Sequence, residues 1–263
     1  MKGRNIISSI LAAALALSCT VLEDRSACPC FLDVDYSRVL ADNPFGSGAG
    51  AIAVSRGDGG LQLLHRAEFC PQVEEVRTGR GTYLFCMLMC GGEPVGDGLS
   101  VKVSAGSQCD SIYGYRTTVD ATGETARLMV EVHKQFATVS VTDTHDGRAL
   151  APYQVVARGN SDGIDLTTLS PTKGDFFCRP QQSGGTYVFR MPRQADTGAA
   201  IELLTKTGGS LHHRLELGEA LLEAGYDFGA TDLEDITVTF DFDRMVALVK
   251  VADWEEETIA VIW

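Results

Sequence analysis

Apolar and polar side chains alternate with period two along most of the chain, the pattern of half-buried β-strands. Residues 31–36 set Leu32, Val34 and Tyr36 against Asp33 and Asp35. Residues 52–55 and 61–65 flank Arg56-Gly57-Asp58-Gly59-Gly60, a glycine-rich connection that suits a hairpin. Residues 82–90 are apolar on both faces, as a central strand requires. Further strands are predicted over 99–104 and 127–133. The same grammar returns over 137–142, 153–158, 185–191, 200–206, 210–217, 236–242, 245–251 and 258–263, with Gly, Ser and Asp turns between them. One short helix is predicted over 219–224, closed by Gly225 just past its last turn.

Roughly fifteen short strands suit two sandwiches of about seven strands each. The expected fold is therefore mainly β, with two tandem antiparallel β-sandwich domains and one short helix. The boundary falls near residues 131–136, where two strands run almost head to tail. This gives an N-terminal sandwich over 31–134 and a C-terminal sandwich over 135–263, after a signal peptide over 1–18 and a tether over 19–30. The C-terminal segment Thr258, Ile259, Ala260, Val261, Ile262 and Trp263 puts Ile259, Val261 and Trp263 on one face and Ala260 and Ile262 on the other. A strand apolar on both faces calls for cover on both sides. It reads either as a central core strand or as a strand that pairs with another subunit.

The first residues do not belong to the fold. Lys2 and Arg4 precede an apolar stretch over 6–17, too short for the roughly 20 residues that span a bilayer. It has the form of a signal-peptide core. Leu15-Ala16-Leu17-Ser18-Cys19 then has the form of a bacterial lipobox. Cleavage before Cys19 frees its thiol and amine for acylation, and several acyl chains anchor where one does not. Cys19 is thus the expected lipidation site, and the expected location is the cell outer membrane, on its exposed side. Glu23 and Asp24 follow closely and resemble the acidic surface-export signal of Bacteroidota lipoproteins; the plain alternative is a charged linker.

The formal net charge of −13 argues against a nucleic-acid partner, because phosphate binding needs a basic stripe. The cysteines stand at 19, 28, 30, 70, 86, 90, 109 and 178. With Cys19 lipidated, an odd number remains, so at least one thiol stays free. Cys86 and Cys90 in one extended strand lie about 13 Å apart and cannot bond each other. Cys28-Pro29-Cys30 is too tight for an internal bridge. The expectation is one disulfide from Cys28 or Cys30 to a cysteine of the first half, with Cys70, Cys86 and Cys109 as candidates. The remaining cysteines serve as small buried apolar side chains.

Catalytic signatures are missing. The chain has no G-x-x-x-x-G-K-[ST], G-x-S-x-G or H-E-x-x-H motif. His212 and His213 with Glu216 suggest a metal site, but neighbours in a strand point to opposite faces. Asn160, Asp162 and Asp165 around Gly163 look like part of a calcium loop, lack its terminal glutamate, and read better as a solvated Asx turn. Asp241 and Asp243 show no sugar-sized cleft around them. No catalytic residue, metal or cofactor is expected, and the chain reads as a non-enzyme.

Several of these features together resemble the FimB/Mfa-type fimbrial anchor family of Bacteroidota. They are the lipobox at 15–19, Glu23-Asp24-Arg25-Ser26-Ala27-Cys28-Pro29, and the strand carrying Asp35-Tyr36. The C-terminal stretch also fits, with a short helix, two strands, then Val251-Ala252-Asp253-Trp254 and a last hydrophobic strand. The Cys28-Pro29-Cys30 doublet departs from the pattern. The resemblance implies two transthyretin-like sandwiches, a lipid tether to the outer membrane, and a role at the base of a fimbrium. There the anchor attaches the shaft and limits its length. The implied partners are fimbrial shaft subunits, held by β-strand addition. Cutting after Arg25 or Arg38 would sever such an anchor from its lipid, so it should keep its N-terminus. The alternative reading is a surface lipoprotein that binds glycan through sandwich loops. A row of exposed aromatics would favour that alternative, and a loose terminal strand would favour fimbrial assembly.

Overall fold

The computed structural model describes residues 28–41, 50–56, 61–66, 72–90, 99–251 and 258–262. The first half holds β1 (Pro29–Asp35), α1 (Ser37–Ala41), β2 (Gly50–Arg56), β3 (Leu61–Arg66), β4 (Val73–Gly79), β5 (Thr82–Met89), β6 (Ser100–Lys102), β7 (Tyr113–Asp120), β8 (Thr125–Met129) and β9 (His133–Lys134). The second half holds β10 (Phe136–Asp143), β11 (Tyr153–Asp165), β12 (Pro171–Cys178), β13 (Gln182–Ser183), β14 (Thr186–Pro192), β15 (Ala200–Thr205) and β16 (Leu211–Leu215). It ends with α2 (Leu217–Glu223), β17 (Ile236–Asp241), β18 (Val246–Val251) and β19 (Thr258–Val261).

The protein is mainly β, as the alternation predicts. In the first half a sheet ordered β4-β1-β8 accompanies a sheet ordered β3-β2-β5-β7-β9. Leu32, Val34, Tyr36, Phe85, Met87, Met89, Leu128 and Val130 form one core with both sheets contributing. In the second half a six-stranded sheet ordered β13-β14-β10-β17-β18-β19 faces β12-β11-β15-β16. Phe176, Phe189, Phe240, Ile201, Leu203 and Val249 lie in the core there. Each half departs from purely antiparallel pairing once. β1 runs parallel to β8, and β10 runs parallel to β17.

Thr82–Met89 is the central strand its sequence implies, paired to β2 and to β7. Its two apolar faces serve two cores. Phe85, Met87 and Met89 enter the first-half core, while Cys86, Leu88 and Cys90 join Val101, Cys109, Ile112, Phe136, Ile164 and Leu166. This third cluster joins the halves. β6 completes the join by pairing with β11, Ser100 opposite Asp165 and Lys102 opposite Gly163. A Cβ on Gly163 would lie 2.0 Å from the Val101 carbonyl oxygen, so the crossing needs glycine. The Cys109 N–H also donates to the Arg190 carbonyl at 2.9 Å, tying the segment after β6 to β14.

Two local expectations change. The strand from Tyr153 runs on to Asp165, so Asn160 and Asp162 lie within β11 rather than in a turn. Their side chains have separate partners: Asn160 donates to Asp196, while Asp162 accepts from Thr172 and Lys102. Only Asp165 makes the expected Asx turn, accepting from the N–H and hydroxyl groups of Thr167 and Thr168. A second short helix, α1, follows β1 where no helix is predicted.

Candidate functional site

Cys28 and Cys30 lie at β1, and residues 258–261 of the predicted C-terminal segment form β19. β1 is the middle strand of its sheet, pairing with β4 over seven residue pairs from Pro29↔Gly79 to Asp35↔Val73 and with β8 over five. Leu32, Val34 and Tyr36 face the core, and Tyr36 is 2% exposed. Asp35 closes the strand. One carboxylate oxygen accepts the Ser37 N–H at 3.0 Å, and the other accepts the Arg127 guanidinium at 2.6 Å. The Asp35-Tyr36 pair is therefore a structural corner: a capped turn into α1 beside a buried ring.

The hydrogen bond from Ser37, then that from Arg127, hold the Asp35 carboxyl down at about 2 from an ordinary 3.8. A carboxyl with a lowered folded-state value stabilises the fold fully above its unfolded value and loses that contribution as pH falls through the folded one. Denaturant titrations of the native protein and of Asp35→Asn should therefore differ most at neutral pH. The gap should narrow between pH 4 and pH 2. A gap that stays constant over that window would place the effect outside the carboxylate.

At the other end, β19 pairs antiparallel with β18, Val246 opposite Val261 and Val249 opposite Thr258. Among the described residues no strand pairs with its outer side, so it is an edge strand and not the central strand allowed for above. Its cover is one-sided as well. Ala260 packs on the second-half core and Ile262 is 3% exposed, whereas Ile259 and Val261 are 55% and 54% exposed. The physical reason is position: β10, β17 and β18 already fill the middle of the sheet. Trp263 lies outside the described residues.

α2 runs beside this edge. Leu217, Ala220 and Leu221 are buried, which fixes the helix against the core and turns Glu219 and Glu223 outward. Gly225, at φ 83, ends it with the Tyr226 N–H donating to the Leu221 carbonyl, the closure that the sequence predicts. Between helix and strand lies a groove of about 250 Å³, lined by Leu215, Glu216, Glu219, Ala220 and Glu223 together with residues 259–261. Arg214 binds Glu216 at 2.6 Å and Glu202 at 2.7 Å, while Glu219 accepts from the Thr197 hydroxyl.

Of the cysteines expected to bridge, Cys28, Cys30, Cys86 and Cys109 lie among the described residues and Cys70 does not. Cys28, Cys30, Cys86, Cys109 and Cys178 form no disulfide among the described residues; Cys19 also lies outside them. Cys30 follows the parity of Leu32 and Val34 on β1, whereas Cys86 and Cys109 belong to the cluster on the opposite face of β5. A bridge from Cys30 to either of them would have to pass through the central sheet. Burial pushes the Cys86 and Cys178 thiols up to about 11 and raises Cys109 as well, so these thiols stay protonated and unreactive.

The two histidines correct a geometric expectation. The register between β15 and β16 slips between Leu203↔His213 and Leu204↔Leu211, leaving His212 as the extra residue of a bulge. Both rings therefore approach Tyr153, at 5.0 Å for His212 and 5.9 Å for His213, and touch each other edge to face. His213 is buried and His212 exposed. Glu216 is occupied by Arg214. Among the described residues no three His, Cys, Asp or Glu side chains converge as a metal site would need, and no helix is long and apolar enough to cross a membrane.

A cleft of about 520 Å³ opens where the halves meet, between Tyr115, Arg116, His133, Leu169, Phe228 and Thr231. Its polar groups are tied internally. The buried Arg193 donates to Gln135 Oε1 at 2.9 Å and to the Phe228 and Ala230 carbonyls, and the Tyr115 hydroxyl donates to the Met129 carbonyl. Among the described residues Phe31 is the one aromatic among the large exposed apolar side chains, so no row of aromatics is presented there.

This is the fold of fimbrial and adhesin-type proteins of Bacteroidota. The chain superposes on the fimbrial anchor protein Mfa2 of Porphyromonas gingivalis with a TM-score of 0.55 at 11% identity, covering 88% of this chain and 100% of that one. A candidate polysaccharide-binding protein of Bacteroides thetaiotaomicron gives 0.60 at 12% identity, covering 86% and 99%. A candidate adhesin of Bacteroides ovatus gives 0.58 at 11% identity, covering 87% and 95%. No protein-family model and no curated protein matches the sequence. The resemblance drawn from the lipobox, the Asp35-Tyr36 strand and the C-terminal stretch thus holds at the level of the fold.

Proposed function

We propose that the protein is a non-enzymatic outer-membrane lipoprotein, tethered through Cys19, that attaches fimbriae to the cell surface as an anchor or assembly subunit and limits their length. Its two sandwich units are residues 31–134 and 135–263. Its partner is a fimbrial shaft subunit, docked by β-strand addition at 258–263. The observation that carries the reading is the pairing of β1 on both edges. A lipid at Cys19 would pull on the middle strand of a sheet, where the load is shared by pairing on both sides. β19, at the other end of the chain, has an open edge among the described residues for the partner. The fold shared with a protein named as a fimbrial anchor supports the same reading. The glycan-binding alternative would call for exposed aromatics, and among the described residues Phe31 is the one large exposed aromatic, which does not make such a face.

The test is Cys19→Ala, made in the full chain with an affinity tag and expressed in the native cells. The native lipoprotein should sediment with membranes and bring fimbrial subunits with it on capture. The variant should fall in the membrane fraction by on the order of tenfold or more, because the acyl chains supply the anchoring, and fimbriae should appear in the medium. A variant that stays in the pellet with fimbriae still on the cell would overturn the anchor reading.

A further inference from the structure

We infer that the open edge of β19 is shaped to receive an extended strand with basic side chains on the face turned toward α2 and β-branched side chains on the other. This deepens the docking reading above and rests on it.

The first observation is that β19 lacks the charges and register slips that blunt β4, β12 and β16, and is longer than the two-residue edge strand β13. Exposed edges are normally made very short, charged, bulged or proline-bearing, because their unpaired backbone groups template pairing with another chain. β13, at the far edge of the same sheet, is two exposed polar residues long. β12 carries Lys173 and Asp175 and slips register against β11. β16 is bulged at His212, and β4 carries Glu74, Glu75 and Arg77. β19 reads Thr-Ile-Ala-Val, with no charge, no proline and no slip against β18.

The second observation is that the two faces beside this edge differ in chemistry. On the outer face Ile259 and Val261 stand more than half exposed, two residues apart. A strand added here would set its outward side chains beside them, and β-branched residues pack best in that position. On the inner face the side chain of β19 is the small Ala260, and the groove toward α2 opens over it. Glu216, Glu219 and Glu223 line that groove, and no Lys or Arg does. Among the described residues only Glu216 of the three binds a guanidinium, from Arg214. Inward side chains of the added strand would meet this carboxylate wall on a chain of net charge −13. Lys or Arg there gains from it, and Asp or Glu is repelled.

The probes are two peptides, Thr-Val-Lys-Val-Lys-Val-Thr and Thr-Val-Glu-Val-Glu-Val-Thr, added to the full chain at low ionic strength. Two exposed ion pairs in place of two like-charge contacts predict roughly tenfold tighter binding of the lysine peptide. The lysine peptide should also slow amide hydrogen exchange over 258–262, and its advantage should shrink with added salt. The double variant Glu219→Lys/Glu223→Lys should reverse the order of the peptides. Equal binding, a preference for the glutamate peptide, or no protection over 258–262 would overturn the inference.

A second pair of variants separates this inference from the docking reading. Ile259→Lys/Val261→Lys alters exposed positions, so its melting temperature should match the native protein. In cells it should lose fimbriae, as Glu219→Lys/Glu223→Lys should. If the edge variant sheds fimbriae and the helix variant retains them, strand docking stands and the basic partner is wrong. If the edge variant retains them with its fold intact, docking at β19 itself is wrong, and this inference falls with it.

Discussion

Removing residues 28–36 is expected to unfold the first half of the protein while the second half stays folded. β1 occupies the middle of its sheet, so its loss leaves β4 and β8 without their shared partner. It also strips Leu32, Val34 and Tyr36 from the core. Each such side chain contributes about 1.5–3 kcal/mol when fully buried, so the three together supply roughly 5–9 kcal/mol. A whole domain is stable by only about 5–15 kcal/mol. The second half keeps its own core, built from β10 onward. Hydrogen exchange should therefore show rapid exchange across β5 and β7 and continued protection across β10, β15 and β17. Protection of β5 equal to that of the native chain would show that β1 is dispensable, and the load path from Cys19 through the sheet would fail with it. A subunit that gives up its first strand to make room for a neighbour could not be built this way.

The strands that sequence makes legible are those whose alternation is unbroken. Leu32–Tyr36, the two-faced Thr82–Met89 and the closing trio β17, β18 and β19 all lie where their patterns put them. β12 is hidden by composition, because Pro171, Gly174 and Asp175 are turn residues that here lie in a strand pairing with β11. β4 is hidden by charge: Val73–Gly79 is an edge strand whose Glu74, Glu75 and Arg77 leave no clean apolar alternation. The extension of β11 past Arg158 rests on a slipped pairing with β12, and its last three residues also on β6 arriving from the other half, a long-range contact that no local pattern announces. The site divides in the same way. The apolar face of 258–263 is plain in the sequence, but whether a strand is central or at an edge depends on which strands surround it. The carboxylate wall of α2 becomes a site only when the helix is laid beside β19. The paired histidines illustrate the limit most sharply, since one extra residue in the β15–β16 register lets both rings meet Tyr153 while one is buried and the other exposed.

Deleting 258–263 is expected to have the opposite outcome from deleting β1: the chain stays folded, and fimbriae leave the cell. Ile262 is the one large side chain of β19 and its following residue known to be buried, and Ala260 adds a small contact. Their loss costs roughly 2–4 kcal/mol, which a domain of about 5–15 kcal/mol survives. Ile259 and Val261 contribute little to the monomer, because they are more than half exposed. Calorimetry should show a lowered but cooperative transition for the second half, and circular dichroism should retain its β signal. With the tether proposed at Cys19, the truncated chain should stay in the membrane fraction while fimbriae collect in the medium. The combination matters more than either result alone. Unfolding of the second half would make 258–263 a core strand despite its edge position. A folded, membrane-bound truncation that still holds fimbriae would move docking to another surface, since lipid, fold and shaft would all have survived without this strand.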